Sequence, residues 1–220
     1  MLSNMINFFQ LCRIIFVFLF SILCVGTVYG QEIHEFNYSG SDQYFTVPNN
    51  VKSIKVEVWG AGGGKGSYSS SHAGGAGGYA EGVVSVISGE IYTIVVGQGG
   101  LGVNSGVITD DRTYQDGGMA TYGGGGYGTK GDASGASGGG LSGLFSGSGN
   151  VFSGSNPTSN AQSRAILIAG GGGGSTAFSG GGGGGGGTTG GSTTGGSGGN
   201  QSRGGTGTIG EDGSPLRGGN

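Results

Sequence analysis

Between Gln43 and Val96 the chain alternates apolar and polar positions in short runs, the period of β-strands. Gln43-Tyr44-Phe45-Thr46-Val47 is a β-prone run stopped by the turn signal Pro48-Asn49-Asn50. From Val51 to Trp59, Ile54, Val56 and Val58 share one face while Lys55 and Glu57 take the other, a half-buried strand that Gly60 ends. Tyr79 to Ile87 follows, with Val84 and Val86 on one face. Ser88-Gly89 reads as a turn, and Glu90 to Val96 as its hairpin partner. That partner is apolar on both faces, through Tyr92, Ile94 and Val96 and through Ile91 and Val95, so it is expected at the centre of a sandwich. Ala165-Ile166-Leu167-Ile168-Ala169 is too short for a buried helix and reads as a last strand. No segment sustains a helical period.

The first thirty residues follow another pattern. Arg13 precedes the apolar run 14–20, which Ser21 interrupts and 22–25 continue, and Val28-Tyr29-Gly30 sets a small residue at a cleavage point. This is the pattern of a secretory signal peptide over residues 1–30, removed after Gly30. The run 14–28 is shorter than the ~20 residues that span a bilayer. Cys12 and Cys24, the two cysteines of the chain, both lie inside it. The mature segment 31–220 therefore enters an oxidising compartment without disulfides or thiolate metal sites.

Composition changes the picture beyond the strands. Glycine fills 61 of 220 positions, against about 7% in average usage, and charged residues make up 10%. With three prolines and no Gly-X-Y period running through the tracts, collagen is excluded. Net charge is −3 with basic residues scattered singly, which excludes a nucleic-acid or polybasic lipid patch. The main tracts are Gly123–Gly126, Gly138–Gly140, Gly170–Gly174 and Gly180–Gly187. They read either as flexible linkers or as extended polyglycine-II-like helices with three residues per turn, bonded sideways to their neighbours. Fixing a residue costs roughly 1–2 kcal/mol, and a net hydrogen bond returns about 0.5–1.5. Such a bundle is near break-even alone and needs an apolar scaffold. Here the tracts alternate with apolar strands, and Gly170–Gly174 directly follows Ala165–Ala169, so the ordered reading is preferred.

The run Phe45-Thr46-Val47-Pro48, then Val56-Glu57-Val58-Trp59-Gly60-Ala61-Gly62-Gly63-Gly64, Gly74-Gly75-Ala76-Gly77-Gly78-Tyr79, Tyr92-Thr93-Ile94-Val95-Val96-Gly97 and Ser163 through Gly174 resembles the glycine-rich protein families. Members occur among protist surface proteins and phage tail adhesins. The same motif order is similar to the extracellular glycine-rich region of the anaplastic lymphoma kinase and leukocyte tyrosine kinase receptors. The resemblance covers residue 36 to the end. It implies an all-β fold, a small jelly-roll-like (tumour necrosis factor-like) sandwich with packed polyglycine-II helices. It also implies partner binding through loops. The receptor cysteines and kinase domain have no counterpart here. The ending Arg217-Gly218-Gly219-Asn220 lacks a closing apolar strand, which fits a truncated domain as well as a whole one.

Chemistry-bearing motifs are sparse. Residues 60–66, GAGGGKG, fail the phosphate-loop pattern at Trp59 and Gly66. His34 and His72 are the two histidines and lack cysteine partners, so no zinc site is read. Asp110, Asp111 and Asp116 lack EF-hand spacing and read as a solvated acidic loop. No cofactor is expected, and no nucleophile–base–orienter set marks an enzyme. Asn37 and Asn200 each open an N-glycosylation triplet. Tyr68, Tyr79, Tyr114, Tyr122 and Tyr127 lie in or beside glycine-rich loops, as does His72, and the tyrosines suit either an adaptable recognition surface or the shielding of tract ends.

The resulting expectation is a non-enzymatic secreted or cell-surface recognition and adhesion module. Its polyglycine scaffold would present loops 65–73 and 104–118 to an extracellular protein or glycan. A self-associating glycine-rich coat or matrix protein is the first alternative, and a fragment of a receptor-kinase-like ectodomain the second. Ice binding through Thr188-Thr189 and Thr193-Thr194 is disfavoured by irregular threonine spacing.

Overall fold

A computed structural model describes Gln10, Arg13 and residues 30–66, 73–102, 119–128, 135–175, 181–185, 196–197 and 206–207. The chain divides into two units, Met1–Glu35 and Phe36–Asn220. In the first, Gln10 and Arg13 are helical, and the run 30–35 is exposed and outside regular secondary structure, with His34 Nε2 3.2 Å from Glu32 Oε1. The body of the expected leader lies outside the described residues.

The second unit is all-β, as the alternating pattern predicts. Its strands are β1 (Gln43–Thr46), β2 (Ser53–Trp59), β3 (Tyr79–Ser85), β4 (Ile91–Val95), β5 (Ser142–Ser146), β6 (Phe152–Ser153), β7 (Asn156–Pro157), β8 (Ala165–Ala169), β9 (Gly196–Ser197) and β10 (Thr206–Gly207). One four-residue helix, α1 (Ala161–Arg164), precedes β8. Strands β1, β4, β5 and β8 form an antiparallel sheet in the order β1-β4-β5-β8, and β2 pairs with β3 as a separate ribbon. The ribbon's inner residues Ile54, Val56 and Val84 join Phe45, Val47, Tyr92, Leu144 and Leu167 in one apolar layer. The opposite face of the sheet buries Val95, Phe145, Val151 and Phe152. β4 is thus central and covered on both faces, as its doubly apolar sequence predicts.

One expected pairing is not formed. The residues on either side of Ser88-Gly89 do not make a hairpin: β3 pairs with β2 along its length, while both edges of β4 are taken by β1 and β5. The turn is tight, with Glu90 N donating to Ile87 O at 3.0 Å and Gly89 at φ +81°. It carries the chain from ribbon to sheet, because the apolar sides of β3 and β4 must face one another across the core. Strand β5 and the β6–β7 hairpin have no counterpart in the alternation, since Ser142, Gly143 and Ser146 leave Leu144 and Phe145 as the only strong β-formers in β5.

The glycine tracts are ordered where described. Each of five strands runs on into a glycine segment: β2 into 60–66, 73–78 into β3, β4 into 97–102, 136–141 into β5, and β8 into 170–175. Segment-to-segment hydrogen bonds repeat every three residues. Gly60 and Gly63 donate to Gly78 and Gly75, both at 2.8 Å, and Ala61 and Gly64 donate to Gly140 and Ser137 at 3.0 and 2.9 Å. Gly75 and Gly78 donate to Gly173 and Gly170, and Gly173 donates to Gly183. A three-residue repeat with every bond leaving the segment is the pattern of polyglycine II. Gly123–Gly126 departs from it: Gly123 and Gly124 take positive φ and Thr121 bridges Gly125, a tight turn in place of an extended tract.

Glycine is needed in this lattice for close approach. A Cβ on Gly171 would lie 1.9 Å from Gly139 O, and one on Gly182 1.8 Å from Gly173 O. Polar side chains finish segment ends: Ser175 Oγ accepts from Gly66 N at 2.7 Å, and Ser137 Oγ from Leu101 N at 2.7 Å. At the sandwich, Asp42 accepts from Val151 N and the Tyr122 hydroxyl. Arg164 donates to the carbonyls of Ser146, Gly147 and Gly149, fixing the turn after β5.

Two predictions follow from this packing. Gly171→Ala should lower stability by roughly 3 kcal/mol or more, since it overpacks backbone that cannot move aside. Gly99→Ala, with nothing within 4 Å of the added carbon, should raise stability by about 0.4–1 kcal/mol; urea unfolding midpoints compare the two. The Tyr92 hydroxyl is pushed up to about 12 by burial and by its hydrogen bond to Glu90. An unfolded tyrosine ionises near 10. Between those values the unfolded chain gives up a proton that the folded one keeps. This contribution to stability is therefore full below pH 10 and falls as pH rises toward 12. Thermal unfolding followed from pH 9 to 12 should show that slope, and Tyr92→Phe should reduce it, the buried Tyr122 hydroxyl, also raised, supplying the remainder.

Candidate functional site

The outer face of the β2–β3 ribbon gathers exposed aromatic and charged side chains from both strands. Alternation puts Lys55, Glu57 and Trp59 of β2 on this face with Tyr79, Glu81 and Val83 of β3, all exposed. Register sets Trp59 opposite Tyr79, Glu57 opposite Glu81, and Lys55 opposite Val83. Trp59 is 62% exposed. Its ring centroid lies 5.2 Å from that of Tyr79, with the planes tilted by 44°. Two carboxylates directly across a strand pair repel. Here Lys55 Nζ sits 2.5 Å from Glu57 Oε1 and 3.4 Å from Glu81 Oε2, and the Tyr79 hydroxyl donates to Glu81 Oε2 at 2.8 Å.

These contacts set the titration of the cluster. The hydrogen bond from Tyr79, followed by the Lys55 charge, holds Glu81 below the usual carboxylate range. The hydrogen bond and charge of Glu57 raise Lys55, and the bond to Glu81 raises Tyr79. The face presents the Lys55 amine, the Glu57 and Glu81 carboxyl groups and the Tyr79 phenol beside the Trp59 indole.

Beyond Trp59 and Tyr79 the surface continues on glycine segments. Gly62 and Lys65 are exposed at three-residue steps after Trp59, and Ala76 and Ala73 at three-residue steps before Tyr79. With three residues per turn, every third residue of an outer segment faces solvent, so Gly62, Ala73 and Ala76 prolong the aromatic pair with small residues and Lys65 adds a cation one step beyond Gly62.

Of the residues singled out in the sequence, Tyr68, His72, Tyr114 and Asn200 lie outside the described residues, as do Asp110, Asp111 and Asp116. Asn37 is exposed, and its carbonyl accepts from Gln43 Nε2. Tyr127 is 44% exposed. Tyr122 is 6% exposed: it packs 6.1 Å from Phe152 and gives its hydroxyl to Asp42, and burial raises its pKa. It serves the core and offers no contact surface. In the phosphate-loop-like stretch the amides of residues 60, 61, 63, 64 and 66 donate within the protein, so they do not form an anion cradle. Tyr79, singled out in the sequence, is 45% exposed; Trp59 was absent from the sequence-based candidates, as was its pairing with Tyr79. Its signal was the strand register, which places the last residue of β2 against the first of β3.

A family model described as a glycine-rich domain matches residues 39–220. No curated protein and no solved structure matches the chain.

Tyr79→Phe should release Glu81, so that its carboxyl titrates closer to the ordinary range; carboxyl-carbon NMR against pH reads the shift directly. Stability should change by less than about 0.5 kcal/mol, as for other exposed substitutions.

Proposed function

This chain belongs to the glycine-rich domain family, and from that premise we propose that it is a non-enzymatic, secreted or cell-surface recognition and adhesion module. The observation that carries this reading is the exposure of Trp59 beside Tyr79 on a ribbon whose other face packs into the apolar core. Large aromatic side chains with few rotatable bonds supply contact area at low entropic cost, and they dominate binding energy where they anchor an interface. A ribbon that continues into cross-bonded glycine segments holds such an anchor in place before any partner arrives.

Two features of the sequence support the same reading. Residues 1–30 have the charge, apolar run and small cleavage residue of a secretory leader. The motif order resembles that of phage tail adhesins and of the extracellular region of two receptor kinases, in which the glycine-rich part binds a partner. On this reading loops 65–73 and 104–118 extend the recognition surface beyond the ribbon.

Expression of the full chain in a secretory host should release a product beginning at Gln31, read by mass spectrometry. That product should attach to a cell or glycan-coated surface. Replacing loops 65–73 and 104–118 by Gly-Ser segments of equal length should reduce attachment with the thermal midpoint unchanged. Retention of the chain inside the cell, or equal attachment by a scrambled glycine-rich control, would reject the reading.

A further inference from the structure

We infer that the Trp59–Tyr79 face is a binding site for an uncharged glycan, with the pyranose ring stacked on the indole and its hydroxyls bonded by Lys55, Glu57 and Glu81. The inference rests on the reading of the chain as a recognition module and names the chemistry of its ligand.

Three observations select that class. First, the aromatic pair is open and shallow. Rings 5.2 Å apart and tilted by 44° form a splayed platform rather than a closed cage. Such a surface suits a flat, amphipathic ring whose one face is C–H and whose rim is hydroxyl, and it does not enclose a compact quaternary cation. Second, donor and acceptors alternate beside it. The Lys55 ammonium lies between two carboxylates, 2.5 Å from one and 3.4 Å from the other. A hydroxyl both donates and accepts, so neighbouring hydroxyls match this array, donating to Glu57 or Glu81 while accepting from Lys55. A cationic partner would meet Lys55, and a sulfated or carboxylated glycan would meet the two carboxylates. Third, the face has room along its length: exposed Gly62, Ala73 and Ala76 prolong it with no bulky side chain of their own, and Lys65, one step beyond Gly62, adds a second hydroxyl-binding ammonium that with Lys55 balances the two carboxylates. An oligosaccharide longer than one ring therefore fits along the glycine row.

Trp59 is the single tryptophan of the chain, so its fluorescence reports on this face alone. The secreted product is titrated with cellotetraose, mannotetraose and chitotetraose as uncharged probes, with a heparin tetrasaccharide as the anionic probe and tetralysine as the cationic one. The expected result is a saturable emission change with at least one uncharged tetrasaccharide and none with the charged probes. By calorimetry, Trp59→Ala should weaken that binding about tenfold or more, the loss typical of an aromatic anchor. Lys55→Met should weaken it by a smaller factor; Trp59→Ala should keep the thermal midpoint, and Lys55→Met should lower it slightly by leaving Glu57 opposed to Glu81. If Trp59→Ala fails to fold, Lys55→Met and Trp59→Phe serve in its place: weakened binding supports the site and wild-type affinity overturns it. No response to any uncharged probe, a response confined to tetralysine or heparin, or an emission shift that tracks protein concentration without ligand would each overturn it. Surface attachment that survives Trp59→Ala but is lost on loop replacement would overturn the glycan site and leave the recognition role standing.

Discussion

The structure depends on backbone hydrogen bonds made sideways between extended glycine segments. Segment 170–175 lies against 60–66, 73–78, 136–141 and 181–185 and bonds to each, through Gly172 N to Ala61 O, Gly78 N to Gly170 O, Gly139 N to Gly172 O and Gly173 N to Gly183 O. At many of these positions the backbones approach to the point where a methyl group would sit on a carbonyl oxygen, as at Gly60, Gly63, Gly75, Gly171 and Gly172. That steric demand, and not flexibility, accounts for glycine at the inward-facing positions of the described segments.

Glycine is a poor material for such a structure on its own account, because it gives up more conformational freedom on folding than any other residue. The apolar sandwich resolves this. Strands β2, β3, β4, β5 and β8 each share an end with a glycine segment. Their side chains pack in the two layers on either side of the four-stranded sheet. Burial of those side chains fixes the position and direction of one end of each segment. Cross-bonding then orders the remainder with little further loss, since each residue added to a held segment forms bonds to neighbours already in place. Ser137, Ser142 and Ser175 accept the amides that the lattice leaves over at segment ends.

The same arrangement separates interior from surface by a rule of three. Positions facing a neighbouring segment admit glycine, while every third position of an outer segment is free to vary. Trp59 and Tyr79 stand where the two-residue alternation of the ribbon meets the three-residue repeat of the glycine segments, on an edge that is rigid on both sides. A surface of this kind varies its chemistry without disturbing its platform, which suits recognition.

Much of the fold was written locally. Alternation in 53–59 and the doubly apolar run 91–95 determined a half-buried strand and a central one, because side-chain burial in a strand follows directly from a period of two. The placement of Gly170–Gly174 after an apolar strand likewise indicated an anchored tract. Pairing was a different matter. Ser88-Gly89 is an adequate hairpin turn, and only the competition of β2 for β3, and of β1 and β5 for β4, sent the chain across to the other sheet. Tyr122 and Tyr127 are near neighbours in a glycine-rich stretch, yet one is buried against Asp42 and the other exposed, a choice made by residues 80 positions away in the chain. The Trp59–Tyr79 face belongs to the same class. Each residue ends a run that the sequence defines, and only the register between the two runs brings them together.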